Sequence, residues 1–411
     1  MRIIHLYDGH ERVFPGQGSV PTIVYKITKH AAKRGNDVFV LERRWNGLEY
    51  EEEIDGIQFK RVDVNIGSNI PYREIPYDEV KKPQGIIRLL SSRSEFALKA
   101  RKIIEDYGFD VIHVHLPFAA NILVTVYKKL GEKMVYTAHI GEEKKRFNLN
   151  SSTPFLLKVF SPDIYLMKRI KKSTVLNENL KLMLTLKGVG SQKLEVIPNG
   201  VDVHEFGNYS KDELERIEWK YKITGKITIM FAGTITPRKG VEVLIKAAEI
   251  VLKQGYKDVI FLFCGNIQID REFVKRIMRY IRNRRLEDYV KFTGFTSYKD
   301  LKALYSACDM FVLPSFEEGF GLVLTEAMAS GKPLIGSNIG GIPVQVKNGW
   351  NGFLFDPGNY KQLAERIIYL IENVDVKKRM GKNSRRLAEE VFDWNNIIKK
   401  YLEIYREVCS E

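Results

Sequence analysis

Short apolar runs that stop at a glycine recur through the second half of this chain: residues 227–232 before Gly233, 259–264 before Gly265, and 290–293 before Gly294. Helical spacing follows the first of them in Val241, Leu244, Ala248 and Val251, and a basic helix is predicted over 271–284 after the second. Strand, glycine and helix repeated in that order predict parallel strands, because a parallel connection needs a long return path that a helix fills. The first half carries the same arrangement. An apolar run at 2–6 leads into a loop at 7–19 holding Gly9, Gly16 and Gly18, then helical spacing in Val20, Ile23, Val24, Ile27 and Ala31, then a second run at 37–41. Further strands are predicted at 57–62, 111–115, 134–138, 175–176, 194–197 and 310–313, with helices at 95–107, 119–130, 301–307 and a last amphipathic one at 392–408.

A chain of 411 residues exceeds what one core usually supports, so two domains are expected. The polar stretch 204–226 reads as a linker with a short helix between them, with 1–203 on one side and 204–391 on the other. No apolar run reaches the roughly 18 residues that would span a bilayer. The N-terminus lacks a signal-peptide pattern, and the three cysteines lie far apart, so a reducing cytoplasmic setting is expected. A net charge of +14 is spread over both halves. Its clusters, at 168–172 and at Arg276, Arg279, Arg282, Arg284 and Arg285, carry no nucleic-acid motif. They read as solvated faces, and they are also compatible with peripheral attachment to the anionic inner face of a membrane.

The chemistry concentrates in residues 314–333, PSFEEGFGLVLTEAMASGKP. Gly319 and Gly321 permit backbone turns, and the apolar spacing from Leu322 onward predicts a helix beginning near Phe320 to Val323. Amides at such an end favour an anion, so a phosphate fits over Phe320, Gly321, Leu322 and Val323. Glu318 beside it and Glu326 a turn inside would repel that anion unless they bind hydroxyls. A ligand with both phosphates and hydroxyls is a nucleotide sugar. Arg238 and Lys239, in the loop from Gly233 to Gly240, precede another helix and suit a diphosphate. In the first half Gly16 and Gly18 line a strand-end loop, and His139 ends a strand on the same sheet edge.

Those residues together resemble a retaining glycosyltransferase of the GT-B fold, family 4, also called glycosyl transferases group 1. The likeness rests on Glu318 and Glu326 with the intervening glycines, on Arg238-Lys239, on Phe292-Thr293-Gly294 and on Pro198-Asn199-Gly200-Val201-Asp202. It implies an α/β chain of two facing Rossmann-like domains with a cleft between them. The C-terminal helix at 392–411 would cross back to the first. It further implies that Arg238 and Lys239 hold the diphosphate, Glu326 the ribose, and Glu318 with the amides of residues 319–322 the transferred sugar. Gly233 and Gly294 would lie along the donor, Gly16 and Gly18 near its phosphate, and His139 toward the reacting sugar or the acceptor. Gln17 separates the two glycines that many members have adjacent, and the tracts 65–92 and 141–161 match no acceptor pattern.

The activity so implied is transfer of a hexosyl unit from a nucleoside diphosphate sugar to a hydroxyl of a glycan, polyol or lipid-linked acceptor. No cofactor and no metal are expected, since no Asp-x-Asp motif accompanies the site. A nucleotide-sugar epimerase or sugar phosphorylase on the same fold is the alternative within enzymes. A sugar- or lipid-binding protein with a decayed site is the alternative outside them.

Overall fold

The computed structural model describes residues 1–64, 83–139 and 161–410. The tracts expected at 65–92 and 141–161 therefore fall mostly outside the described residues. The chain divides into two compact units, Met1–Pro198 with Trp394–Glu411, and Asn199–Asp393. The divide lies before the expected one at residue 203. The reason is that Val201 donates its amide to the carbonyl of Phe392 at 2.8 Å and bridges Asp393, which ties 199–203 to the second unit.

The first unit is built on β1 (Arg2–Tyr7), β2 (Asp37–Arg43), β3 (Glu51–Ile54), β4 (Ile57–Val62), β5 (Val111–Val114), β6 (Met134–Thr137), β7 (Lys172–Val175) and β8 (Leu194–Val196). Their order is β3-β4-β2-β1-β5-β6-β7-β8. All neighbours are parallel except β3, which returns antiparallel to β4 through a turn at Asp55 and Gly56, both at positive φ. The strand Glu51–Ile54 escapes sequence reading because three glutamates carry no apolar alternation; as an edge strand it needs none, and its charges keep the edge unpaired. Helices Pro162–Arg169 and Glu178–Leu186 also lie where none was expected, and the helix expected from 95 begins at Pro83. Proline suits a first helical position, where its missing N–H costs nothing.

β1 and β5 carry histidines into the core. His5 and His113 are register partners on adjacent strands, and His115 lies just past β5; all three are fully buried. The C-terminal helix, Trp394–Cys409, packs in this unit with Tyr401 and Tyr405 inward. Tyr405 Oη lies 2.6 Å from His113 Nδ1, and Thr137 Oγ1 lies 2.7 Å from its Nε2. Trp394 stacks on His30 at 5.8 Å.

The second unit holds six parallel strands, β9 (Ile227–Ala232), β10 (Val259–Cys264), β11 (Val290–Gly294), β12 (Met310–Leu313), β13 (Leu334–Ser337) and β14 (Gly352–Phe355), in the order β11-β10-β9-β12-β13-β14. The short helix expected within 204–226 is Lys211–Tyr221, started by a capping box between Ser210 and Glu213. It is packed rather than loose, since Lys220 and Tyr221 hydrogen-bond Asp300 at 2.5 and 3.1 Å. No helix among the described residues is long and apolar enough to cross a membrane.

The buried histidines set an acid limit on the first unit. Burial holds His5 down to about 3 and His113 and His115 well below the ordinary imidazole range. Burial, with Arg93 and Arg43, does the same to His10, at about 3. Unfolded imidazoles protonate near pH 6.5 while these stay neutral, so the unfolded chain binds more protons below that pH. For His5 and His10 the contribution is whole above about 6.5 and is lost as pH falls toward about 3, at about 1.4 kcal/mol per pH unit for each; His113 and His115 act in the same direction. Of seven histidines only His204, which is exposed, lies in the second unit. Acidification from about pH 7 to about pH 5 should therefore lower the thermal midpoint of the first unit more than that of the second. Thermal proteolysis with peptides of each unit resolved by mass spectrometry checks this; equal losses in both would contradict it.

Candidate active site

Between β9 and β12 the strand order reverses: β10 and β11 step away on one side, β13 and β14 on the other. The loops leaving β9 and β12 therefore meet at the edge where open parallel sheets bind ligands. They meet closely. Gly240 sits at φ +66, and a Cβ there would stand 1.8 Å from the carbonyl oxygen of Pro314. Phe316 donates its amide to the carbonyl of Arg238 at 2.8 Å, and Arg238 Nη1 donates to the carbonyl of Glu317 at 3.2 Å.

Those contacts bring together two of the expected site residues, 79 positions apart. Lys239 Nζ lies 2.6 Å from Glu318 Oε2, with 14% and 11% of the two side chains exposed. Ser315 Oγ donates to the same oxygen at 3.3 Å. Gly341 donates its amide to the Glu318 carbonyl at 3.0 Å, and a Cβ on Gly340 would meet that carbonyl at 2.1 Å. Glu318 is thus held at its backbone and its side chain. Ser315, Gly340 and Gly341 escaped the choice of site residues because a serine and a glycine pair in loops carry no charge signal.

Gly321 caps the helix Leu322–Ala329 at φ +87, a left-handed conformation suited to glycine. The helix begins within the stretch its spacing predicted, four residues after Glu318. Buried Phe320 offers its backbone rather than its ring, with Gln345 Nε2 donating to its carbonyl. Glu326, one turn in, accepts the Tyr305 hydroxyl at 2.8 Å. Burial, then Glu326, raises Tyr305 well above the ordinary phenol range, so it stays a donor. Gly294 ends β11 at φ +68, and Gly233 leaves β9 at φ +146, with a Cβ on Gly265 only 1.8 Å from its carbonyl oxygen.

In the first unit Gly16 is left-handed at φ +80 with open space around its Cβ position. Gly18, by contrast, is extended at φ 161, which any residue adopts; it begins the helix Ser19–Ala32. His139 is half-buried and ends a line of imidazoles: its Nε2 lies 3.1 Å from His115 Nδ1, and His115 Nε2 lies 2.9 Å from His5 Nδ1. His5 Nε2 is buried without a partner among the described residues. A bare acceptor there costs less than an orphaned N–H. This directs the chain: His5 donates to His115, His115 donates to His139, and His139 carries its proton on Nδ1. Nitrogens of His5, His113 and His115 lie within 4.8 Å, close enough for a metal, yet five of their six ring nitrogens already have hydrogen-bond partners.

Two family models match this chain and between them cover most of it. Residues 20–205 match the model described as Glycosyltransferase Family 4, and residues 214–387 match Glycosyl transferases group 1. A glycosyltransferase of Methanocaldococcus jannaschii is 27% identical over 86% of this chain and 90% of its own. The N-acetyl-alpha-D-glucosaminyl L-malate synthase of Bacillus anthracis is 26% identical over 97% of this chain and 96% of its own. Among solved structures, HepE of Anabaena, crystallised in complex with UDP, superposes with a TM-score of 0.77 at 21% identity over 99% of this chain and 100% of that one. The two parallel-sheet units are those of the GT-B fold, and the class they define is a glycosyltransferase. Within that class the chain belongs to family 4, the glycosyl transferases of group 1.

The Gly240 contact tests whether the two loops are locked. Gly240→Ala should lower the thermal midpoint of the second unit by several degrees, since φ and the Pro314 carbonyl both exclude a Cβ. Gly225 has nearly the same φ, +67, but open space around it, and Gly225→Ala should cost only about 1 kcal/mol. Equal midpoints for the two variants would show that the contact is not tight.

Proposed function

We propose that this chain transfers a hexosyl unit from a nucleoside diphosphate sugar to a hydroxyl acceptor, with retention at the anomeric carbon. The observation that carries this reading is the Lys239–Glu318 pair, placed at the reversal of strand order beside the first turn of Leu322–Ala329. A cation, a carboxylate and a helix N-terminus close together in the chain suit a ligand with a diphosphate and hydroxyls.

In this reading Lys239, Arg238 and the amides of residues 319–323 hold the diphosphate and take up the charge that grows on it as the glycosidic bond breaks. Glu318, released from Lys239 by the incoming phosphate, accepts hydroxyls of the transferred sugar. Glu326 accepts those of the ribose, with Tyr305 fixing its carboxylate. Gly233 and Gly294 leave room along the nucleotide. His139, held as the Nδ1–H tautomer by His115, serves the reacting sugar or the acceptor, and the Gly16 loop the donor phosphate. With no carboxylate placed as a nucleophile, the leaving phosphate deprotonates the acceptor on the face it leaves from. UDP, named with HepE, is the first nucleotide to test, and L-malate in the Bacillus relative's name makes a carboxylate-bearing acceptor a reasonable first choice. No metal enters the scheme.

A thermal-shift screen against UDP, GDP, ADP and dTDP and their sugars should find one nucleotide that stabilises the chain. Lys239→Ala should then cut transfer by about 10²–10³-fold with the fold retained. Glu318→Ala should mainly lower kcat, and Glu326→Ala mainly raise the donor KM; matching defects in both would refute the division of roles. Turnover should survive EDTA, and loss of activity on chelation would overturn the metal-free scheme. Product analysis separates transfer from epimerisation, which releases no nucleotide.

A further inference from the structure

At the edge of the first sheet three buried hydrogen-bond donors have nothing to donate to among the described residues. Asp8 and His10 follow β1, Arg43 ends β2, and Arg93 projects from the helix Pro83–Tyr107; their exposures are 2%, 6%, 5% and 4%. Arg93 Nη2 lies 3.2 Å from His10 Nε2, and its Nε lies 3.4 Å from Asp8 Oδ2. Asp8 Oδ2 also accepts the amide of Ala119 at 3.1 Å, and Arg43 Nη2 donates to Ser92 Oγ at 3.1 Å.

A guanidinium only donates, so His10 Nε2 accepts from Arg93 and the proton of the neutral ring stands on Nδ1. His10 Nδ1, Arg93 Nη1 and Arg43 Nε are all buried without a hydrogen-bond partner among the described residues. Each is an N–H. The charge is unbalanced in the same sense: among the described residues Arg43, Arg93 and Lys99 stand with two carboxylates, Asp8 and Glu95, the latter 2.9 Å from Lys99 Nζ. Arg43 and Arg93 each depress the ionisation of His10, so the three side chains lie within electrostatic reach of one another. Buried donors without acceptors are rare and need a reason. Their location supplies one. β1 and β5 are the neighbours between which the strand order of the first sheet reverses, the place where such sheets receive ligands.

We infer that Arg43, Arg93 and His10 form a binding site for an oxyanion, the phosphate or carboxylate group of the acceptor. The proposal rests on the transferase reading for the word acceptor, and on the first unit's own residues for the site. Arg43 and Arg93 offer charged N–H groups of the geometry that suits both anions, and His10 Nδ1–H adds a neutral one. Asp8 orients Arg93 and is not displaced, because its other partner is the Ala119 amide. The site selects acceptors that carry an anionic group along with the hydroxyl to be glycosylated.

The test uses the full chain, with inorganic phosphate and acetate as probes, titrated calorimetrically at constant ionic strength against chloride. Wild-type protein should bind phosphate, acetate or both saturably, the stronger naming the acceptor group, and Arg43→Gln should weaken binding about ten- to hundred-fold. Arg93→Gln removes the counterion of Asp8 and can fail to fold, so Arg43→Gln and His10→Phe carry the result. The His10 ring N–H proton should shift in NMR spectra on addition of the bound anion. Equal anion affinity in wild type and Arg43→Gln would overturn the site. So would binding abolished by Lys239→Ala and untouched by Arg43→Gln, which would place the anion in the second unit. If no nucleotide stabilises the chain while anion binding still depends on Arg43, the transferase reading falls and this site stands.

Discussion

A parallel sheet delivers the exit of every strand to one edge, and where the strand order reverses, two exits have no crossover helix between them. That constraint decides what this chain can do in each unit. In the second sheet it sets the loop after β9 against the loop after β12, and their backbones touch at positions where only glycine fits. Gly240 against Pro314 is that approach, and Gly265 against Gly233 and Gly340 against Glu318 brace the same two loops from β10 and β13, each leaving about 2 Å for a Cβ. Side chains on loops so closely locked need little further ordering to act together. Lys239 and Glu318 can form a short ion pair across 79 residues because the glycines fix both ends first.

Much of this was legible in the sequence, and the reason is that it is local. A short apolar run, a glycine and a helical repeat report on their own neighbourhood, so the strand–loop–helix units could be read along the chain and the helix at Leu322–Ala329 placed from its spacing. The features that escaped depend on partners far away. Glu51–Ile54 is a strand only because β4 is beside it, and Tyr405 is polar core only because His113 lies under it, 292 residues earlier. The site divides in the same way. Arg238, Lys239 and Glu318 stand out as charges beside loop glycines and Glu326 as a charge in an apolar helix, whereas Tyr305 and Ser315 bond Glu326 and Glu318 from positions that look like ordinary core and loop. Arg43, Arg93 and His10 gave no sign at all, because a basic residue at a strand end reads as a solvated one until its burial is known.

The two reversal points handle positive charge differently. In the second unit Lys239 is matched to Glu318, so under the proposed function an arriving phosphate would exchange one anionic partner for another, its gain being the difference between them. That exchange would also free a carboxylate for hydroxyls, tying recognition of the diphosphate to recognition of the sugar. In the first unit one N–H on each of Arg43, Arg93 and His10 has no acceptor among the described residues. An anion there gains the hydrogen bonds outright and removes a desolvation cost the folded chain already bears, the more favourable bargain for a small ligand. A site that exchanges partners suits a donor bound through many groups; a site that waits with unpaired donors suits an acceptor with few groups to offer, whose anion must supply most of the affinity.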